Sequence, residues 1–175
     1  MKKDKLKKLI ELSNILRDCK DLEKGLEIAS KQIKEIIEVD RVTIFIYSQK
    51  SNMLWTYIAD GIEKLVIPAT KGIVGYVVQN KTIKKVNDTS KEPLFYKEVD
   101  EMTGYKTKNI LTLPLIGEND KLIGVIQLLN KKDGKFTSKD LNIAHMFSVY
   151  ITPALELLLN QKRKLEIGNH DDYII

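Results

Sequence analysis

Two apolar runs joined by four turn-forming residues constrain this chain more than any other feature. From Asn109 to Ile116 the residues alternate, with Leu111, Leu113 and Leu115 on one face and Ile110, Thr112, Pro114 and Ile116 on the other. Gly117-Glu118-Asn119-Asp120 has turn chemistry, and Leu122 to Leu129 is a second run, almost wholly apolar. Together they predict an antiparallel hairpin buried on both faces. Asp133-Gly134 then turns the chain. Thr137, with Asp140 three residues on, has the form of a capping box that opens a long helix.

The segments before the hairpin fit around it. Residues 3–18 carry Leu6, Leu9, Ile10, Ser13 and Leu16 near a heptad spacing, which predicts a helix. A second helix is expected from Asp21 as cap through Glu38, with Leu22, Leu26, Ala29, Ile33, Ile36 and Ile37 as its buried stripe. Residues 41–48 alternate as a half-buried strand, Val42, Ile44 and Ile46 against Arg41, Thr43, Phe45 and Tyr47. Met53–Ala59 is its partner, Asp60-Gly61 ends it, and residues 63–68 form a short third strand. Lys71 to Val78 reads as a glycine-bearing turn into a short helix. Its exposed N–H groups would suit an anion, and its glycines would equally suit close backbone packing. Residues 84–86 are extended. Pro93 is expected at the first position of a helix reaching Met102.

The final helix has two apolar seams. One is Leu141, Ala144, Ser148, Ile151, Leu155 and Leu158; the other is Ile143, Phe147, Tyr150, Ala154 and Leu157. Two seams imply two partners, the sheet and another helix, and Pro153 is expected to kink the helix. The order of elements predicts an α+β layer structure, an antiparallel sheet with helices segregated to its faces. We divide it into an N-terminal helical extension (1–20), one domain (21–160) and a C-terminal tail or junction (161–175).

Composition narrows the function by exclusion. The net charge is +5, but residues 1–8 hold five Lys against one Asp, so the basic excess is a terminal helix face rather than a nucleic-acid surface. No apolar run in the sequence approaches a membrane span, and the N-terminus lacks the form of a signal peptide, so a cytoplasmic location is expected. The lone Cys19 has no disulfide partner and no evident base. The two histidines, His145 and His170, form no ligand set with other residues, and His145 is expected to pack near the apolar seam. GxSxG, HExxH and the phosphate-loop GxxxxGK[ST] are absent. No catalytic residue, metal site or resident cofactor is predicted.

Several stretches in order resemble a GAF domain, and most nearly the regulatory GAF domains of cyclic nucleotide phosphodiesterases. They are Asp40-Arg41-Val42-Thr43-Ile44-Phe45, Ile67-Pro68-Ala69 leading to Gly72-Ile73-Val74-Gly75, Pro93-Leu94-Phe95-Tyr96, and Thr103 to Leu111 running into Pro114-Leu115. Gly124-Val125 then leads to Asn130-Lys131, which with Phe136 and Asp140 matches most of the family's signature; Leu141 stands where its final Glu is expected. The resemblance implies terminal helices packed on one face of the sheet and a ligand pocket under small helices on the other. It implies a small-molecule ligand, cyclic GMP or cyclic AMP first among candidates, and ligand-binding roles for Thr43, Asp60, Ile73, Val74, Tyr96, Asp100, Thr103, Thr107 and Gln127. Asn130, Lys131, Phe136 and Asp140 read as a structural latch between hairpin and helix. Ala59 replaces the base-stacking aromatic that the resemblance leads one to expect, Val74 replaces an Ala, and Gln127 replaces an acid. The expected mode of action is signalling through the terminal helices to an output domain or partner outside this chain. The alternative is a ligand-free module that forms homodimers through those helices.

Overall fold

The fold is known from a computed structural model, which describes residues 21–59 and 65–170 and five positions between Lys7 and Asn14. Residues 60–64, Cys19 and most of the expected helix 3–18 lie outside the described residues.

The hairpin takes the central place that its apolar content requires. Helix α1 (Leu22–Ile37) leads into β1 (Val39–Ser48), β2 (Met53–Ala59) and β3 (Val66–Pro68). Helix α2 (Gly72–Asn80), β4 (Lys84–Val86) and α3 (Lys97–Thr103) follow. Then come the hairpin strands β5 (Ile110–Ile116) and β6 (Leu122–Lys131), and α4 (Ser138–His170). The six strands form one antiparallel sheet in the order β3-β2-β1-β6-β5-β4. At its middle, Gly124 of β6 faces Ile46 of β1 and Leu115 of β5. A Cβ at Gly124 would stand 2.0 Å from the Phe45 carbonyl oxygen, so only glycine lets the central strands close.

The two faces of the sheet are divided by the period of two in the strands. Val42, Ile44 and Ile46 of β1 and Leu111, Leu113 and Leu115 of β5 join the stripe of α1 and the α4 residues Ala144, Phe147, Ile151 and Leu155 in the main core. On the other face Phe45 and Val125 pack under Val74 and Val77 of α2, while Ile110 and Leu129 pack under Ile73. Asp21 caps α1 through a 3.1 Å bond to the Lys24 amide.

Several boundaries differ from the sequence reading. Pro93 does not start a helix: the Phe95 amide donates to the Glu92 carbonyl in a turn, and Tyr96 becomes the N-cap of α3. Pro has the same fixed φ in either setting, and Leu94, Phe95 and Tyr96 are needed as cover for α2 rather than as a helix face. The third strand begins at Val66, and α4 runs to His170. His145 is exposed rather than packed, because it falls outside the seam defined by Ala144, Phe147 and Ser148. The second seam of α4 is divided likewise: Ile143 and Phe147 are buried, whereas Tyr150 and Leu157 are exposed. Residues 138–163 are long and apolar enough, by length and composition, to cross a membrane. In this fold their buried positions pack against the sheet and α1.

Candidate functional site

The face of the sheet opposite α1 and α4 is laid out in rows by strand register. Arg41, Leu129 and Ile110 form one row across β1, β6 and β5; Thr43, Gln127 and Thr112 form the next; Phe45, Val125 and Pro114 form the third. The first and third rows are largely apolar and the middle row is polar. Helix α2 lies over them, and residues 93–107 complete a roof. Between floor and roof is a cavity of about 60 Å³, bordered by Arg41, Phe45, Gln127 and Leu129 below and by Ile73, Val74, Tyr96, Asp100, Thr103 and Thr107 above.

Seven of the nine residues singled out from the sequence border this cavity: Ile73, Val74, Tyr96, Asp100, Thr103, Thr107 and Gln127. Thr43 lies in the polar row on the correct face but is 2% exposed and does not border the space. Asp60 lies outside the described residues.

Local chemistry fixes each roof element. Gly72 has φ +67°, and a Cβ there would come within 2.8 Å of the Tyr96 Cβ, so the first turn of α2 and the start of the roof touch only because this residue is glycine. Gly75 abuts the Thr70 carbonyl carbon in the same way, at 2.6 Å. Close packing therefore accounts for both glycines. Lys71 gives α2 no side-chain cap, which leaves the first-turn N–H groups to other acceptors. Helix α3 ends at Gly104 with φ +65°. Beyond it, both oxygens of Asp100 are taken by Thr107: Oδ2 accepts from the Thr107 amide and Oδ1 from its hydroxyl, each at 2.6 Å. The Thr103 hydroxyl donates back to the Val99 carbonyl at 2.7 Å. On the floor, Gln127 Nε2 donates to the Thr112 hydroxyl at 3.2 Å. Asp100 and Thr103 thus each make a bond within the roof itself and keep acceptor lone pairs beyond it.

Asn130 ties the hinge behind the roof to the sheet. It adopts a left-handed φ of 55°, which Asn tolerates. Its Oδ1 accepts from the amides of Lys108 (2.7 Å) and Asn109 (3.4 Å), and its Nδ2 donates to the Lys106 carbonyl and the Tyr105 hydroxyl, both at 2.9 Å. The next residue, Lys131, reaches the other face. Its ammonium lies 3.4 Å from Asp140 and 3.6 Å from Glu38, and it donates to the Ile37 carbonyl. Asp140 also accepts from the Thr137 amide at 2.8 Å while its own amide donates to the Thr137 hydroxyl at 3.3 Å, the two bonds of a capping box, and it accepts from that hydroxyl at 2.8 Å. Phe136 is buried, and its backbone is held at both N–H and C=O by the Asn87 side chain.

The sequence reading missed two residues at the cavity mouth. Arg41 places its guanidinium 3.7 Å from the centre of the Tyr105 ring. The Tyr105 hydroxyl donates to Asp40 Oδ2 at 2.7 Å. Burial first, and the Asp40 carboxylate second, push the Tyr105 phenol well above its usual range. The available signal was the alternation of β1, which puts Arg41 on one face with Thr43 and Phe45. No cluster of His, Cys, Asp and Glu suited to a metal occurs among the described residues.

The profile of the GAF domain family matches residues 21–155. A probable 3',5'-cyclic phosphodiesterase, pde-5, of Caenorhabditis elegans is 29% identical over 136 residues, covering 70% of this chain. The chain spans 18% of that relative's length. The GAF domain of a phosphoenolpyruvate-protein phosphotransferase from Coxiella burnetii superposes with a TM-score of 0.81 at 15% identity, covering 91% of this chain and 96% of that one. Free methionine-R-sulfoxide reductase from Neisseria meningitidis, solved with its substrate, has a TM-score of 0.72 at 17% identity, over 85% of this chain and 86% of its own. These two likenesses concern the fold. With the family profile spanning both hairpin and roof, the chain belongs to the GAF domain family of small-molecule-sensing regulatory domains.

Proposed function

We propose that this domain is a non-catalytic sensor whose cavity takes a small ligand, with a cyclic nucleotide the first candidate. The single observation that supports it most is the convergence of seven residues, spread from Ile73 to Gln127, on one space with a polar row in its floor. The likeness to a probable 3',5'-cyclic phosphodiesterase supports the choice of ligand. A space of about 60 Å³ accommodates a few waters, whereas ligand pockets run to roughly 300–1,000 Å³. Binding on this reading therefore requires the roof to lift and re-form around the ligand. The hinge at 104–109 is bonded to Asn130, and Lys131 beside it is bonded to both the end of α1 and the start of α4, so a moved roof has a bonded route to the terminal helices. Calorimetric titration of the full chain with cyclic GMP and cyclic AMP tests the reading. We expect saturable heat and a thermal shift with one of them; neither heat nor shift at millimolar ligand refutes it.

A second reading is a ligand-free homodimer through the terminal helices. Its motive is the outer face of α4, where Val149 is 56%, Leu157 52% and Tyr150 38% exposed. Light scattering that returns a monomer at high concentration refutes it.

A further inference from the structure

Arg41 stands out among the side chains that border the cavity. The cavity has one carboxylate, Asp100, and each of its oxygens accepts a hydrogen bond from Thr107. It has one guanidinium, and among the described residues that group has no ion pair and no hydrogen-bonded partner; it rests on the face of Tyr105. A stacked guanidinium keeps its in-plane N–H donors unused, and those donors form the fork that matches phosphate or carboxylate oxygens. The stacking itself is a weak attraction at a partly open site. A charge-assisted pair contributes more, so the parked position is one that an anion can compete with.

Register adds a second point. Arg41 shares its row with Leu129 and Ile110. Those two residues pack against Ile73, in the first turn of α2. The start of α2 and the guanidinium therefore stand over the same row, one above it and one within it. The positive end of a helix and a cation thus meet at the Arg41 row, while Val74 of the same turn reaches the Phe45 row.

We infer that Arg41 is the specificity-determining residue of the cavity: it recognises an anionic group on the ligand with the in-plane donors that its stacking on Tyr105 leaves unused. The inference rests on the sensor reading above and narrows it. The ligand carries a negative charge, and its charged end lies at the Arg41 row, with its neutral part toward Phe45. A phosphodiester and a carboxylate share this chemistry. A neutral nucleoside lacks it.

The test uses the full-length chain, Arg41→Gln and Arg41→Lys, with cyclic GMP, cyclic AMP, guanosine, adenosine and inorganic phosphate as probes. The Arg41 Nε–H resonance is followed by NMR alongside calorimetry. We expect the cyclic nucleotide that binds the wild type to bind R41Q at least tenfold more weakly and R41K at an intermediate level. The guanidinium resonance should shift on titration, and the matching nucleoside should bind wild type and R41Q alike. Equal cyclic nucleotide affinity in wild type and R41Q, with both folded by circular dichroism, overturns the Arg41 assignment and leaves the sensor reading intact. If no cyclic nucleotide binds but phosphate shifts the Arg41 resonance and stabilises wild type over R41Q, the nucleotide reading falls and the anion assignment stands. No response to any of the five probes overturns both.

Discussion

Removing Asp140 should destabilise this domain strongly, and the structure allows the size to be worked out. Asp140 and Lys131 are 8% and 9% exposed at their side chains, 3.4 Å apart. Deleting one partner of such a pair leaves the other buried and uncompensated, which costs about 3–5 kcal/mol. Asp140→Ala also removes the acceptor for the Thr137 amide and hydroxyl, so we expect about 4 kcal/mol, near the middle of that range. Lys131 would retain the Ile37 carbonyl and Glu38, but Glu38 is half exposed and gives weaker compensation. Lys131→Met should cost about 2–3 kcal/mol, since Asp140 keeps both Thr137 donors. The double variant should cost less than the two together, with a coupling energy of about 2 kcal/mol. The assay is urea unfolding of the four proteins. For a chain of this size, about 4 kcal/mol corresponds to a fall in Tm of roughly 8–16 °C. A loss below about 1 kcal/mol in D140A, or additivity within about 0.5 kcal/mol, refutes the argument that the pair joins hairpin to helix.

Other outcomes follow from single contacts. Gly124→Ala should lose at least about 3 kcal/mol or fail to fold, because backbone rather than a movable side chain occupies the Cβ position. Gly104→Ala should lose only about 1 kcal/mol, from its positive φ, since nothing lies within 4 Å; urea midpoints measure both. Asp100→Ala strips the buried Thr107 amide of its acceptor, and amide exchange at Thr107 should quicken by roughly tenfold or more. Tyr105 has a raised phenol pKa, so ionisation favours the unfolded chain once pH passes the ordinary phenol value of 10.0. Stability should fall from there upward, and Tyr105→Phe should lessen that fall; equal alkaline slopes in the two proteins refute the link.

The strands were legible because alternation is a local signal. Leu111, Leu113 and Leu115 announced one face and Ile110 and Thr112 the other, and the register kept that division. The cavity was legible through family resemblance rather than periodicity, which gives no reason to group Ile73 with Thr107. Arg41 escaped because an Arg in an alternating strand ordinarily points to water. Only the folding of α2 and the roof over that face turns its row inward. Pro93 was placed wrongly because its ring satisfies a turn and a helix start equally, and the choice was made by tertiary contact between Tyr96 and Gly72. Asp100 and Thr107 were singled out as candidate ligand contacts, but sequence does not reveal that they bond to one another.

The antiparallel pairing of α1 and α4 has a consequence for how the domain can be built into a larger polypeptide. Lys162 meets Glu23 at 3.3 Å, so the beginning of α1 and the later part of α4 lie side by side. The latch at Lys131 joins the opposite ends of the same two helices, Ile37 and Asp140. Polypeptide preceding α1 and polypeptide following α4 thus depart from the same pole, beside one another. A domain wired this way fits into a longer chain as a side loop fits into a cable, with both leads at one end.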